Sequence, residues 1–440
     1  MNLNMLSRLW LIRREETLKG HMIRGAGGSL FLRVANTLLV IVATFVLARI
    51  MGARDYGVYA YIISWVSLLS VPATMGFDTL LVREVARYKA CKQWDALKGV
   101  ILWTDRRAMA VSLGFIIIWE CIWWILCDRF GPETNLASLI AAALLPLQVL
   151  ILLRRGSVQG IGRVIEAQVP GMLALPGVFL VMVVLLASLA EVSPGKAICI
   201  QILASFLALL LGTHIRRKYL PIEVKVAEPS YFPRQWFRSA LPLMFMGVAG
   251  IVNQRLSTVM TGTMLGPEAA GILDVAIKGS TVVTFVLMSV NMPLAPAVAE
   301  LYSKGEKERL QRLVTKCARV ALVASLPVAL ALIIFAHRVL SFFGKDFVAG
   351  DLALAILALG QLVNVGAGSV AVLLNMTGYE WDTAKGVGIA SVVNFTLNLF
   401  LIPLFHIEGA AIANAVSVIV WNVLMAGWVY RRLKIKSFGF

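Results

Sequence analysis

Arg33, Arg255 and Lys278 each fall inside a long apolar stretch, with Asp78 and Asp274 in comparable positions. A charge at the centre of a bilayer costs about 2.5–3.5 kcal/mol on insertion scales, so such residues persist where they meet water, a partner or a substrate. Among these five, three cations oppose two carboxylates, leaving a net +1. Guanidinium and ammonium groups in a poorly hydrated chamber favour phosphate oxygens, through short charge-assisted hydrogen bonds. A chamber for organic cations or sodium would lean acidic instead. The expected chemistry is recognition of a large anion, with Arg49 and Arg54 extending a basic path toward one mouth.

Each charge also has a plainer reading. Arg33 lies close to the inner boundary of its stretch, within snorkelling reach of lipid headgroups. Asp274 and Lys278 are four residues apart and can neutralise one another on one helix face. Asp78 follows Gly76 and can cap local backbone. Arg255 points roughly 100° away from the Gln254, Ser257 and Thr261 stripe, so a partner within its own half is expected for it.

The elements that must hold these groups are membrane helices. Hydrophobic residues make up 59% of the 440 and charged residues 15%, with a mean hydropathy of +0.82. A soluble domain has an apolar share nearer ~45–50%. A spanning helix needs about 20 apolar residues. The apolar runs predict spans over 30–51, 58–82, 107–127, 136–153, 168–190, 195–215, 239–263, 272–298, 320–341, 352–375, 384–404 and 409–430.

Of the 41 Lys and Arg, 32 fall in alternate connecting segments or at their edges, counting the two ends, 6 in the opposite loops or at their edges, and 3 deep within spans. That asymmetry is a positive-inside signal and places both termini in the cytoplasm. The net charge of +17 is then topological, and nucleic acid is not an expected partner. The first apolar segment is expected to act as an uncleaved anchor, preceded by a short interfacial helix bearing Leu6, Leu9 and Trp10.

Sites for other chemistry are missing from the pattern. The five cysteines (Cys91, Cys121, Cys127, Cys199, Cys317) show no C-x-x-C spacing and read as buried apolar side chains. His21, His214, His337 and His406 form no H-E-x-x-H, and no Walker A loop occurs. No cofactor is expected, no metal site is assigned, and coupling to protons or sodium is left open.

The halves repeat at a fixed offset. Gly52 and Gly266, Gly57 and Gly271, and Tyr88 and Tyr302 are each separated by 214 positions. Gln159-Gly160-Ile161-Gly162 and Asn375-Met376-Thr377-Gly378 occupy similar places at a slightly larger offset. Six spans per repeat is an even number, so both repeats enter from the same side, related by an axis along the membrane normal. The expected fold is an all-α polytopic membrane protein of twelve helices in two six-helix lobes around a central cavity. Its parts are a cytoplasmic amphipathic N-terminus (1–29), an N-lobe (30–215), a cytoplasmic linker (216–238) carrying Pro221, Pro229 and Pro233, a C-lobe (239–430) and a basic tail (431–440).

Polar residues within spans concentrate on the first two of each half. Arg33, Thr37 and Thr44 share a face, and Ser64, Ser67, Ser70, Thr74 and Asp78 form a stripe interrupted by Pro72. Asn253, Gln254, Ser257, Thr258 and Thr261 are their counterparts, followed by Asp274, Lys278 and Thr281. Matching polar helices in two repeats are what a shared cavity requires. Trp65, near the second stripe, reads as a packing or lipid-facing residue, with sugar stacking the sharper alternative, and Glu120 as interfacial.

Several of these segments carry a family resemblance. Ala48-Arg49-Ile50-Met51-Gly52, Tyr56-Gly57-Val58-Tyr59, Met75-Gly76-Phe77-Asp78 and Leu81-Val82-Arg83-Glu84-Val85-Ala86-Arg87-Tyr88 resemble the Wzx-type polysaccharide or O-antigen flippases of the multidrug/oligosaccharidyl-lipid/polysaccharide (MOP) exporter superfamily. The Gly378 region, and Ile402-Pro403 through Glu408-Gly409-Ala410-Ala411-Ile412-Ala413, are similar to that family's final spans. The likeness is broad along the chain and most specific in its first ninety or so residues. It implies translocation of a polyprenyl-diphosphate-linked oligosaccharide across the inner membrane, without catalysis, by alternating access through a cationic cavity. The cavity cations here would be Arg33, Arg255 and Lys278. Polysaccharide polymerase and glycosyltransferases are the implied neighbours in such a pathway. A drug or cation antiporter of the same architecture is the alternative reading, since fold alone does not assign substrate. A membrane polymerase is a third, disfavoured by the shortness of the outer loops.

Overall fold

A computed structural model describes residues 3–126 and 131–438, with side chains described from Gly27 onward except those of Leu126 and Glu133. Cys127, Arg129 and the side chains of Leu6, Leu9 and Trp10 lie outside the described residues. The elements are α1 (Leu3–Thr74), α2 (Phe77–Ala90), α3 (Trp94–Leu126), α4 (Pro132–Ala141), α5 (Leu144–Gly160), α6 (Val164–Val169), α7 (Leu175–Leu189), α8 (Pro194–Tyr219) and α9 (Ile222–Val226) in the N-terminal half. The C-terminal half holds α10 (Pro233–Leu265), α11 (Pro267–Ser280), α12 (Phe285–Ser303), α13 (Lys307–Ile334), α14 (Ala336–Phe343), α15 (Asp351–Ala367), α16 (Val370–Met376) and α17 (Glu380–Leu433). No strand occurs among the described residues. Lipid offers backbone groups no partners, so an apolar chain of this kind satisfies its N–H and C=O groups within helices.

Nine helices among the described residues are long and apolar enough to cross a membrane. Two of them contain an internal break: Gly52 divides α1 and His406 divides α17. The helix α10 is comparably long but is not among the nine; its Asn253-Gln254-Arg255 run dilutes its apolar character. The N-terminal segment is not a separate short helix, because the backbone runs helically from Leu3 into the first apolar stretch.

The sequence repeat is also a repeat of backbone conformation. Gly52 adopts φ 75° and ψ 176°, and Gly266 adopts φ 99° and ψ 169°. Side chains rarely tolerate that region, so both turns call for glycine. Gly162 and Gly378 match likewise, at φ 96° and 86°. The two motifs then meet in space. A Cβ on Gly57 would sit 2.0 Å from the Pro267 carbonyl oxygen, and one on Gly271 would sit 2.6 Å from Gly57 Cα. Backbone therefore packs on backbone where the second arm of α1 crosses α11.

The largest apolar cluster spans this crossing and joins both halves, with Leu47, Tyr56 and Ile62 of α1, Phe179 of α7, Ile198 of α8, Leu273 of α11 and Ala410 of α17. At the end that carries the basic segments, Trp236 of α10 donates its Nε1–H to the Tyr88 hydroxyl at 3.0 Å, and its ring lies 5.5 Å from Trp103. The exterior is apolar as well: Trp124 is 79% exposed and Leu189 84%, as expected of a surface that faces acyl chains rather than water.

The cysteines correct an expectation for the same reason. Cys91, Cys121 and Cys199 are exposed and Cys317 is half-buried, all as free thiols. For Cys121 and Cys199, on apolar helices, a small side chain gains little from the interior when the outside is lipid too; Cys91 lies instead in a basic connecting segment.

Candidate functional site

Three charged side chains of the C-terminal half converge on one point. Asp274 and Lys278 lie one turn apart on α11, whose start is set by Gly266 and by Pro267 at the first helical position. Arg255 comes from the middle of α10. The Asp274 carboxylate is 2% exposed and receives Lys278 Nζ at 2.7 Å, with Arg255 Nη1 at 3.6 Å. The Tyr56 hydroxyl, from α1, donates to Asp274 Oδ2 at 2.5 Å and accepts from Lys278 Nζ at 3.0 Å. A buried carboxylate without such partners would carry a desolvation penalty of several kcal/mol. The Arg255 contact is longer than a hydrogen bond, and its guanidinium makes none among the described residues. Its donors are available to a ligand.

These groups line a cavity of about 180 Å³ whose remaining walls come from the other half: Thr44, Leu47, Tyr56 and Tyr59 of α1, Phe179 of α7 and Gln201 of α8. Tyr59 donates to Gln201 Oε1 at 3.2 Å and stacks on Phe179 at 5.8 Å. Cations of one half thus enter a chamber built mostly by the other. The paired and cavity readings of Lys278 hold together, because the ion pair itself forms part of the lining. Arg255 has the partner within its half expected of it, and it lines the cavity as well.

A second group lies toward the basic end. Asp78 lines a groove of about 420 Å³ with Thr74 and Gly76 on one side and Met244, Gly247 and Gln254 of α10 on the other. Gly156 of α5 packs so closely on the Asp78 backbone that a Cβ would lie 2.3 Å from its carbonyl oxygen. The preceding residue, Arg155, is under the electrostatic influence of both Asp78 and Arg33. Arg33 and Arg49 are exposed, and neither lines the 180 Å³ cavity.

The polar stripes divide differently from the reading of them as one cavity face. Ser257, Thr258 and Thr261 are buried within the C-terminal half, where Asn398 donates to Ser257 Oγ at 3.2 Å and Asn394 donates to Ser417 Oγ at 3.0 Å. Asn253 donates to Ser391 Oγ at 2.6 Å. This amide and hydroxyl network ties α10 to α17, and only Gln254 of the stripe faces the groove. Ser67, Ser70 and Thr74 return their hydroxyls to their own helix backbone. Trp65 packs edge-on against Trp119 at 6.5 Å.

Tyr56, Tyr59, Gln201 and Arg155 escaped the sequence reading. Tyr56 stands where the second repeat has Ala270, and that mismatch inside a matched motif was the available signal. The Arg154-Arg155 doublet was assigned to a connecting segment. In the structure both lie on α5, where Arg154 pairs with Asp105 at 2.6 Å beside Arg216, which is 2.9 Å from the same carboxylate. No group of three His, Cys, Asp or Glu suited to a metal occurs among the described residues.

Comparison with known proteins adds the following. A family model described as "Polysaccharide biosynthesis protein" matches residues 22–302, and one described as MatE matches 242–404. A Haloferax volcanii protein named as a probable low-salt glycan biosynthesis flippase, Agl15, is 21% identical over 397 residues, covering 88% of this chain and 79% of that protein. Among solved structures, a multidrug resistance MATE family transporter of the MOP superfamily, in its inward-facing conformation, superposes with a TM-score of 0.75 at 12% identity, over 92% of this chain and 98% of that one. A MOP superfamily transporter from Pyrococcus furiosus, described as having reversed binding-pocket polarity, gives 0.63 at 12% identity, over 94% and 95%.

Proposed function

The chain belongs to the polysaccharide biosynthesis protein family, and on that premise we propose that it is a flippase for a polyprenyl-diphosphate-linked oligosaccharide. The observation that carries this reading is the placement of Arg255 and Lys278, cations of one half, inside a chamber walled mostly by the other. Charge-assisted hydrogen bonds from these groups suit diphosphate oxygens. Arg33 and Arg155 would meet the anion earlier, from the basic end. The oligosaccharide would occupy the space between the halves while the lipid tail stays in the bilayer.

In this reading the chain crosses the inner membrane twelve times, with both ends in the cytoplasm. The breaks at Gly52 and His406 divide α1 and α17 into two crossings each. Two six-helix lobes, 30–215 and 239–430, rock about the cavity, joined by 216–238. The Gly57–Pro267 contact would close the outer end. The protein moves its substrate without altering it.

Complementation of a flippase-deleted strain tests the assignment. Arg255→Ala, Arg33→Ala and the less stable Lys278→Ala should reach the membrane and lose polymer export, with Lys278→Arg retaining part of it. Alanine variants that export at wild-type levels would overturn the cationic-cavity reading. A drug antiporter of this fold would instead respond mainly to loss of Asp78 and Asp274.

A further inference from the structure

Asp274 occupies the place an anionic substrate would take. Its oxygens draw Lys278 and the Tyr56 hydroxyl into hydrogen bonds and hold Arg255 at 3.6 Å. Lys278 and Arg255 carry two positive charges against this one negative charge. A monoanion meets the one unbalanced charge through Arg255 and leaves Lys278 on the carboxylate. A group with two or more negative charges competes for both cations and draws them away from Asp274.

Tyr56 makes that exchange visible elsewhere. It is the one residue of this cluster contributed by α1, and it is fully buried. It stands next to Gly57, whose backbone packs against Pro267, and one turn further along α1 Tyr61 hydrogen-bonds Thr263 at 2.8 Å. These contacts are the outer closure. The Tyr56 hydroxyl is tied into it by the hydrogen bond it donates to Asp274 and the one it accepts from Lys278.

We infer that Asp274 is an internal stand-in for the substrate's diphosphate, and that Tyr56 transmits its displacement to the outer closure between Gly57 and Pro267. The inference rests on the flippase reading above. When a diphosphate takes Lys278 and Arg255, the Tyr56–Asp274–Lys278 arrangement loses its organising cation, and the halves are released at that end. Asp274 thereby also separates ligands that displace it from singly charged ones, which leave its pairing with Lys278 in place.

The test uses full-length protein in nanodiscs with native cysteines replaced by serine and spin labels at positions 54 and 268, both exposed and flanking the closure. Inorganic pyrophosphate is the probe and acetate its singly charged control. In the parent protein, pyrophosphate should lengthen the distance between labels and acetate should not. Tyr56→Phe should show the long distance with or without pyrophosphate, and by linkage it should bind pyrophosphate at least as tightly as the parent. Asp274→Asn should bind pyrophosphate more than about tenfold tighter, since a charged acceptor no longer competes, and should also show the long distance unliganded. A Tyr56→Phe protein that still closes and responds like the parent overturns the role of Tyr56. Parent protein that binds pyrophosphate with no change in distance does the same. Unchanged affinity in Asp274→Asn overturns the stand-in. Absence of binding in both the parent and Asp274→Asn instead overturns the anion-site reading, and this inference with it.

Discussion

Tyr56 and Asp274 are separated by 218 positions, and the hydroxyl of one donates to the carboxylate of the other at 2.5 Å. The bond joins α1 to α11, and thus the first repeat to the second, at the point where their signature turns abut. Any separation of the halves at this end must break it. On the proposed reading, binding and movement share an atom here, which makes the site testable by stability as well as by transport.

Lys278→Ala should be markedly destabilising. It leaves Asp274 buried with Tyr56 and the more distant Arg255, and breaking one side of a buried pair typically costs on the order of 3–5 kcal/mol. Adding Asp274→Asn should restore much of the loss, because the uncompensated charge goes. Thermal unfolding in a mild detergent reads both. A double variant no more stable than Lys278→Ala would show that the pair is not what is being lost.

Gly57→Ala should part the outer ends of the halves. Its methyl group would lie 2.0 Å from the Pro267 oxygen, and neither partner is a side chain that can swing aside. Overpacking of this kind costs about 1–3 kcal/mol. A cysteine introduced at Leu265 should react faster with a hydrophilic maleimide in the Gly57→Ala background than in the parent. Equal rates would mean that the backbone contact does not control that end.

Arg154 and Arg155 are adjacent and should behave differently. Arg154→Gln removes a 2.6 Å bond to Asp105, a carboxylate shared by α3, α5 and α8, and should lower the unfolding midpoint. The loss should be on the order of 1–3 kcal/mol, with anion binding little changed. Arg155→Gln makes the opposite trade: stability near the parent's and reduced export. Reversal of these two phenotypes would contradict the placement of the doublet.

Cys91 gives a direct reading of orientation. It is exposed at the C-terminal end of α2, beside the basic segment 83–107, whereas Cys121 and Cys199 lie on apolar helices. A membrane-impermeant maleimide should label Cys91 in inverted inner-membrane vesicles and spare it in intact spheroplasts. Labelling from the outside would reverse the topology.

Much of the architecture was legible because its signals are one-dimensional. A helix in lipid needs an unbroken apolar run, and the runs were there. The turns at Gly52 and Gly266 could be matched because glycine is called for at a positive φ, whatever surrounds it. The burial of intramembrane charge was also readable as a demand for partners, which is why Asp274, Lys278 and Arg255 were singled out together.

Direction was the harder matter. A polar residue inside an apolar helix announces that it needs a partner, and it does not announce whether that partner is water or another helix. Ser257 and Asn253 looked like cavity residues for this reason, and they serve instead to tie α10 to α17. The cysteines failed on a related point, since a lipid exterior removes the usual reason to bury them.

From its residues alone this chain determined a helical membrane protein, a duplicated half with glycine turns in register, and a small set of charges too costly to leave unpartnered in lipid. Only the tertiary structure decided that Tyr56 belongs with those charges, that Arg33 and Arg49 lie outside the cavity, and that cations of one half line a chamber of the other. The physical reason is range. Hydropathy and backbone strain act within a few residues, whereas the pairing of a buried charge is satisfied by whichever side chain the packing of distant helices brings within hydrogen-bonding distance.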